Sequence, residues 1–354
     1  MHHLGSFLYR QKRYFLGPLI LLLGLLLAWG GGRAALAAEP PRLPEAHFRY
    51  RLDRSRVPSW VVLRQVTLVV DIGPALDVVA LGDGQPVPCH YDGQRALVTT
   101  DAEEVELIVS APQRPLEEMG SAWLAPLQDD KLWALSLTLD DGYESQATTA
   151  KEILDRYGYR ATIAIIGSRI GRKINGHQYA TPEQLQRVVA AGWRLSNHTY
   201  SHRHVWEFDT EEDIVRDLQR NNELIAEAVP GYRPLVFTAP YTETGFAPVI
   251  RAHLEELSLY LIQMHSSNRP RRVDSCAESE CFRANGEEPY ALERDRLGFD
   301  GSQFDEIHRR VNENPGTHWW LSLHSHEVGQ VCDCLETAID ILYRTYGAGG
   351  TDEV

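Results

Sequence analysis

Two kinds of hydrophobic periodicity divide the chain. From about Phe48 to Ala111, short β-branched runs over 60–70, 75–81, 95–99 and 105–109 alternate with turn residues, among them Asp83-Gly84 and Asp92-Gly93. A period of two broken by Asp-Gly turns predicts antiparallel strands, so a small all-β, sandwich-like domain is expected over 45–125. It contains no chemical motif. A packing or spacing role is its plain reading; a carbohydrate-binding accessory module is the sharper one, and rests on analogy alone.

From about Leu132 the pattern changes to apolar strands alternating with amphipathic helices, which predicts a mostly parallel α/β sheet or barrel. Strands are expected over 133–139, 161–166, 193–195, 235–237, 259–263 and 319–323, and helices over 145–157, 182–191 and 211–228. The second helix carries a start signal, Thr181 followed by Pro182 at the first helical position and Glu183 in the first turn. There is no internal repeat and no low-complexity tract.

Ahead of both regions, Arg10, Lys12 and Arg13 precede the apolar run FLGPLILLLGLLLAW over 15–29, and small residues follow, ending in Ala35, Leu36 and Ala37. This is the layout of an export signal over 1–38, cleaved after an A-x-A site. The run is shorter than the roughly 20 apolar residues of a spanning helix, although Gly30–Gly32 and 34–38 extend it toward an uncleaved anchor. Either alternative predicts an extracytoplasmic protein, secreted or anchored, that touches membrane only through this segment if it is not cleaved. The stretch 39–44 reads as a Pro-containing linker.

Composition adds exclusions. The 354 residues are 43% hydrophobic and 24% charged, ordinary globular usage for one large domain and one small one. With 49 Asp and Glu against 35 Lys and Arg, the formal net charge of -14 argues against a nucleic-acid partner, because phosphate binding needs a basic surface. Five cysteines fit an oxidising compartment: Cys276, Cys281, Cys332 and Cys334 could bridge in several ways, while Cys89 stands apart. The Cys332-x-Cys334 pair lacks the second close pair of a structural zinc site.

Groups suited to metal-assisted hydrolysis follow the predicted strands, where α/β enzymes place their sites. Asp140-Asp141-Gly142 ends the strand LWALSLTLD; adjacent carboxylates there point apart, so one can hold a cation while the other accepts a proton. A lone Asp-Asp-Gly is more often a turn. His198-Thr199-Tyr200-Ser201-His202 follows the short strand at 193–195, and two imidazoles four apart can meet on one ion if the segment makes a helical turn. A His-rich surface loop, with His204 nearby, is the plain alternative. Finally, His324 ends the apolar run WWLSLH, placed to protonate a leaving group, with His326 and Glu327 beside it.

In this order, TLDDGY at 138–143, NHTYSH at 197–202 and LSLH at 321–324 resemble the polysaccharide deacetylases with a NodB-homology domain, the family-4 carbohydrate esterases. The resemblance covers roughly 132–343 and is strengthened by RATIAIIG at 160–167 and AAGWRLSNHT at 190–199. It implies a deformed (β/α) barrel of the NodB-homology type over 130–346. It further implies a divalent ion, generally zinc, held by Asp141, His198 and His202, with Asp140 as general base and His324 as general acid. The oxyanion would meet a backbone N–H near Pro240 and Tyr241. Two motifs depart from the pattern. The usual R-x-P-[YF] reads Thr238-Ala239-Pro240-Tyr241, so the guanidinium that steers the base is missing unless Arg269, Arg271 or Arg272 replaces it. The usual D-x-x-D-W is absent after 259–263, where Met264-His265-Ser266-Ser267-Asn268 follows; Asp274 or Glu327 are the candidate partners for His324.

These readings predict metal-dependent removal of N-acetyl or O-acetyl groups from a polysaccharide such as peptidoglycan, a chitin-like glycan or xylan. The alternative is a catalytically weakened glycan-binding or surface-assembly protein that retains the metal triad. An unrelated metallopeptidase is disfavoured because no H-E-x-x-H occurs, and a serine hydrolase because no G-x-S-x-G occurs.

Overall fold

The computed structural model describes residues 43–52, 65–264, 271–272, 290–293, 295–298, 300–328 and 334–354. The export segment, Arg269, Asp274, and Cys276, Cys281 and Cys332 lie outside the described residues, as do the side chains of Arg271, Arg272 and Cys334. Among the described residues no helix is long and apolar enough to cross a membrane.

Residues Pro44–Val354 form one compact unit. Its N-terminal part holds eight short strands: β1 (Glu45–Arg51), β2 (Val66–Asp71), β3 (Asp77–Gly82), β4 (Gln85–Val87), β5 (His90–Tyr91), β6 (Arg95–Thr100), β7 (Glu104–Ser110) and β8 (Ser121–Leu124). They pair antiparallel into two sheets, ordered β1-β7-β3-β4 and β5-β6-β2-β8. Alternate residues of both sheets, including Val78, Leu107 and Val109 from one and Leu68, Val70 and Val98 from the other, meet in a shared apolar core. Cys89 is a free thiol here, its pKa pushed up to about 11 by burial and then by the negative charge of Asp77.

The larger part is mixed α/β. Its strands are β9 (Trp133–Leu139), β10 (Thr162–Ile165), the small hairpin β11 (Lys173–Ile174) and β12 (His177–Gln178), β13 (Arg194–Asn197), β14 (Val236–Thr238), β15 (Leu261–Met264), β16 (Arg271–Arg272), β17 (Tyr290–Glu293), β18 (Asp295–Arg296) and β19 (Trp319–Ser325). The main sheet runs β16-β19-β9-β10-β13-β14-β15-β17, parallel from β19 to β17, with β16 antiparallel and β18 parallel to β19. It is a curved, open half-barrel, since no pairing joins β17 back to β16 or β18 among the described residues.

Helices α1 (Lys151–Arg156), α2 (Pro182–Ala190), α3 (Glu211–Ala228), α4 (Phe246–Ala252), α5 (Leu254–Leu257), α6 (Ser302–Glu313) and α7 (Cys334–Ile341) complete this part. The first helical stretch falls within the expected 145–157, with a π-helical segment Gln146–Ala150 running into α1. Helix α2 starts on a capping box: Thr181 Oγ1 accepts the Gln184 N–H at 3.3 Å, while Gln184 Oε1 accepts the Thr181 N–H at 2.8 Å. Thr210 and Asp213 cap α3 in the same way.

Strand alternation sorts the two faces of the half-barrel. Leu137 and Leu139 of β9, Ile163 and Ile165 of β10, Leu195 of β13 and Leu323 of β19 pack outward with helix residues such as Leu154, Leu185 and Phe304. The opposite face of the same strands carries Thr138, Ser196, Thr238, Gln263, Ser322 and His324, all buried. The inner face is therefore polar, and chemistry-bearing side chains at the strand ends continue it.

Candidate metal centre

Asp141, His198 and His202 come together. One ligand atom from each lies within 4.8 Å of the others, and the residues reach that point from different strand ends. Asp141 follows β9, two residues beyond its last position, and His198 follows β13 directly. Asp141 Oδ1 stands 3.6 Å from His198 Nε2 and 3.2 Å from His202 Nε2.

The histidine pair converges by a route other than a helical turn. Residues 198–204 form an irregular bend in which Thr199 has φ +62° and His202 φ +56°, values an α-helix cannot accommodate. Asp141, at φ +80°, shares the left-handed conformation. Three non-glycine residues held there within one site mark a conformation enforced by its surroundings. Asn197 is the main enforcer. Its Nδ2 donates to the Leu218 carbonyl at 2.8 Å and to Asn222 Oδ1 at 2.7 Å. Its Oδ1 accepts from the Thr199 N–H at 2.9 Å and from Asn221 Nδ2 at 2.8 Å. Thr199 Oγ1 then accepts the His202 N–H at 2.9 Å, and Asp217 Oδ1 the Tyr200 N–H at 2.7 Å.

Hydrogen bonding also fixes one tautomer. His198 Nδ1 lies 2.6 Å from the Thr238 carbonyl, which can only accept, so the ring proton sits on Nδ1 and the Nε2 lone pair faces Asp141. Asp141 Oδ1 is buried without a hydrogen-bond donor in line. Burial alone would raise the Asp141 pKa; positive charge at the imidazoles' position, a protonated ring or a shared cation, more than offsets it and holds the carboxyl well below the usual range. Burial likewise lowers the His202 pKa, with Asp141 opposing. A buried carboxylate oxygen and an imidazole lone pair aimed at one point, with a second imidazole beside them, fit a divalent cation; one carboxylate and two imidazoles is also a donor set zinc accepts.

Asp140 and His324 are buried at 3% and 8% exposure on adjacent parallel strands, where His324 registers with Thr138 and the Asp140 N–H donates to the Ser325 carbonyl at 2.8 Å. Gln146 donates to the Asp140 carbonyl. Pro240 is buried, whereas Tyr241 is half exposed with φ +55°, and its hydroxyl donates to the His202 carbonyl at 3.2 Å.

Of the partners considered for the two departing motifs, Glu327 is engaged elsewhere: its carboxylate lies 2.6 Å from His177 Nδ1 in the β11–β12 hairpin. Thr238, in place of the motif arginine, belongs to a neutral network. Gln263 Oε1 accepts from Thr138 Oγ1 and from Thr238 Oγ1, each at 2.9 Å, and Thr238 Oγ1 lies 2.8 Å from Ser196 Oγ. A cation that sequence reasoning overlooked is Arg169, which donates to the Tyr179 hydroxyl at 2.9 Å; its charge adds to burial in lowering the His202 pKa and opposes the burial that raises the Tyr241 pKa. Tyr143 was also missed as a site residue: burial, then the charge of Asp141, pushes its phenol far above the ordinary value. The family pattern gives neither residue a role, and no local signal singles out Arg169.

The family model "Polysaccharide deacetylase" matches residues 128–260, a span that contains the whole Asp-His-His cluster. This segment is similar to the polysaccharide deacetylase family. The putative polysaccharide deacetylase YxkH of Bacillus subtilis is 36% identical over 113 residues, 32% of this chain and 33% of that protein. A chitooligosaccharide deacetylase of Rhizobium leguminosarum bv. trifolii is 31% identical over 117 residues, 33% of this chain and 46% of that one. The chain thus spans between a third and a half of these curated relatives. Among solved structures, IcaB from Ammonifex degensii gives a TM-score of 0.39 at 20% identity, covering 49% of this chain and 71% of that one. Within the matched segment fall Asp140, Asp141, His198, His202, Pro240 and Tyr241; His324 lies beyond its end.

Proposed function

We propose that the protein hydrolyses N-acetyl or O-acetyl groups on an extracytoplasmic polysaccharide, such as peptidoglycan, a chitin-like glycan or xylan, with a divalent metal, zinc by preference. The observation that carries this reading is the meeting of Asp141, His198 and His202 in a segment that matches the deacetylase family. The bound ion would supply Lewis acidity toward an acetyl carbonyl and toward water.

The chain's own residues have separable tasks. Asp141, His198 and His202 hold the ion, and the Thr238 carbonyl keeps His198 in its ligating tautomer. Asp140 takes a proton from the attacking water. His324, on the neighbouring strand, returns a proton to the departing sugar amine or hydroxyl, and a backbone N–H near Tyr241 steadies the oxyanion. The Arg10–Arg13 region with its apolar run supports export, either cleaved or anchoring.

One observation favours a second reading, a glycan-binding protein with weakened turnover: Thr238 and Gln263 form an uncharged network where the family pattern has an arginine. A paired measurement separates the two. Metal content and acetate release are followed for the wild type, Asp140→Asn and His198→Ala on acetylated chitin oligomers, peptidoglycan and acetylxylan. The Asn variant is expected to keep the ion while losing about a hundredfold or more in rate, and the Ala variant to lose both. Acetate release surviving either change removes that residue from the mechanism; zinc binding by the wild type with no acetate from any polymer favours the second reading.

A further inference from the structure

Beside the triad, three rings are stacked in a row. His204 lies between Tyr241 and Trp206, with centroid separations of 3.7 Å and 4.1 Å and interplanar angles of 17° and 16°. Tyr241 in turn touches the ring of His202, at 4.8 Å, so the row starts at a candidate metal ligand and runs outward. Its outer ring, Trp206, is 69% exposed, the most exposed large hydrophobic side chain among the described residues.

Such exposure is costly for an indole, yet the row is built to keep it. His204 Nδ1 lies 2.6 Å from Glu243 Oε1, while Glu243 Oε2 accepts the Val205 N–H at 2.7 Å. Glu207 Oε2 accepts the His204 N–H at 2.7 Å. On the underside, Val205 and Phe208 pack into the apolar cluster around Phe237 and Phe246, which anchors the segment on both sides of Trp206. Tyr241 holds its place with φ +55°, a conformation unfavourable for a bulky residue. A strained backbone, two carboxylates and two half-buried apolar anchors together fix a polar-edged aromatic row.

We infer that the exposed outer face of Trp206, backed by His204 and Tyr241, is a glycan-stacking subsite that carries the polymer away from the metal centre, one sugar or more beyond the residue being processed. Sugar rings present flat arrays of C–H groups that pack against aromatic faces, and the flanking Glu243 and Glu207 carboxylates can accept sugar hydroxyls. An indole face tolerates different sugars, because it reads shape and not a particular substituent. The identity of the occupant rests on the polysaccharide reading above; the existence of a binding platform does not.

The test uses the full chain loaded with zinc, and titration calorimetry with hexasaccharides of N-acetylglucosamine and of acetylated xylose. Trp206→Ala is expected to weaken hexasaccharide binding about tenfold, and Trp206→Phe to restore most of it. Where acetate is released, Trp206→Ala should raise KM for the hexasaccharide with kcat unchanged, and leave hydrolysis of a small aryl acetate as it was. Equal hexasaccharide affinity in wild type and Trp206→Ala, or no binding of either hexasaccharide by the wild type, overturns the subsite. Tight binding that depends on Trp206 without any acetate release supports the subsite and counts against the hydrolase reading alone.

Discussion

Asn197 does more for the candidate metal centre than its place in a histidine motif suggests. It is fully buried and uses both amide hydrogens and two acceptor positions, locking the backbone of 197–202 onto α3. Gly167 permits this packing, since a Cβ there would lie 2.3 Å from Asn221 Oδ1. Removing the amide would strand several buried groups, each costing about 1–3 kcal/mol. Asn197→Ala is therefore expected to lower stability in urea by about 2–4 kcal/mol, after relaxation of some of these groups. It should also weaken zinc binding about tenfold or more, because partners that orient a ligating imidazole carry that much affinity. A folded Asn197→Ala protein with wild-type zinc affinity would show that the bend holds its shape without the amide. At this scale the meeting of Asp141, His198 and His202 was readable, because carboxylates and imidazoles at strand ends announce themselves. The stacked row was not readable: His204 looked like one more surface histidine, and its partner Tyr241 lies in another loop.

Between strands, the cross-links of the inner face decide how the half-barrel is held under the site. Gln263 of β15 receives two hydroxyls, one from the neighbouring strand β14 and one from β9, 125 residues away in sequence. Gln263→Leu keeps the approximate volume but leaves the buried Thr138 hydroxyl without its acceptor, whereas Thr238 can turn toward Ser196. The expected cost is about 1–3 kcal/mol, read as a lower urea midpoint with an unchanged slope; an unchanged midpoint would mean that water or a shifted side chain takes over. The main elements followed from the periodicity: strands 133–139 and 319–323 against β9 and β19 and 161–166 against β10, and helix 211–228 against α3. Apolar runs and caps are local and so leave a local trace. A glutamine within LIQM leaves none, because its partners exist only once the sheet has curved, and the same holds for the short β16 and β18 segments, whose pairing depends on β19.

Across the whole molecule, the sandwich and the half-barrel meet at a tight turn, Gln128–Asp130, in which Asp129 and Asp130 have φ +57° and +54°. Two kinds of contact fasten it. Asp130 reaches Arg95 of β6 at 3.1 Å and His318, just before β19, at 3.5 Å, while the buried Thr67 Oγ1 of β2 accepts the Asp129 N–H at 2.8 Å. The C-terminal tail closes the other side, the Glu353 carbonyl accepting the N–H groups of Leu132 and Trp133 at 3.0 Å and 3.2 Å. With the turn's contacts reaching both sheet systems, the wild type should unfold in a single calorimetric transition. The two fastenings differ in weight. The Arg95 side chain is 41% exposed, so its ion pair is worth no more than about 1 kcal/mol, and Asn at position 130 also tolerates the left-handed backbone. Thr67→Val instead leaves a main-chain N–H near the interface without its acceptor, a cost of about 1–3 kcal/mol. Asp130→Asn should therefore lower Tm by about 2–4 °C at most, and Thr67→Val by more. Two resolved transitions in the wild type, or a larger loss from Asp130→Asn than from Thr67→Val, would mean that charge rather than the buried hydroxyl joins the two halves.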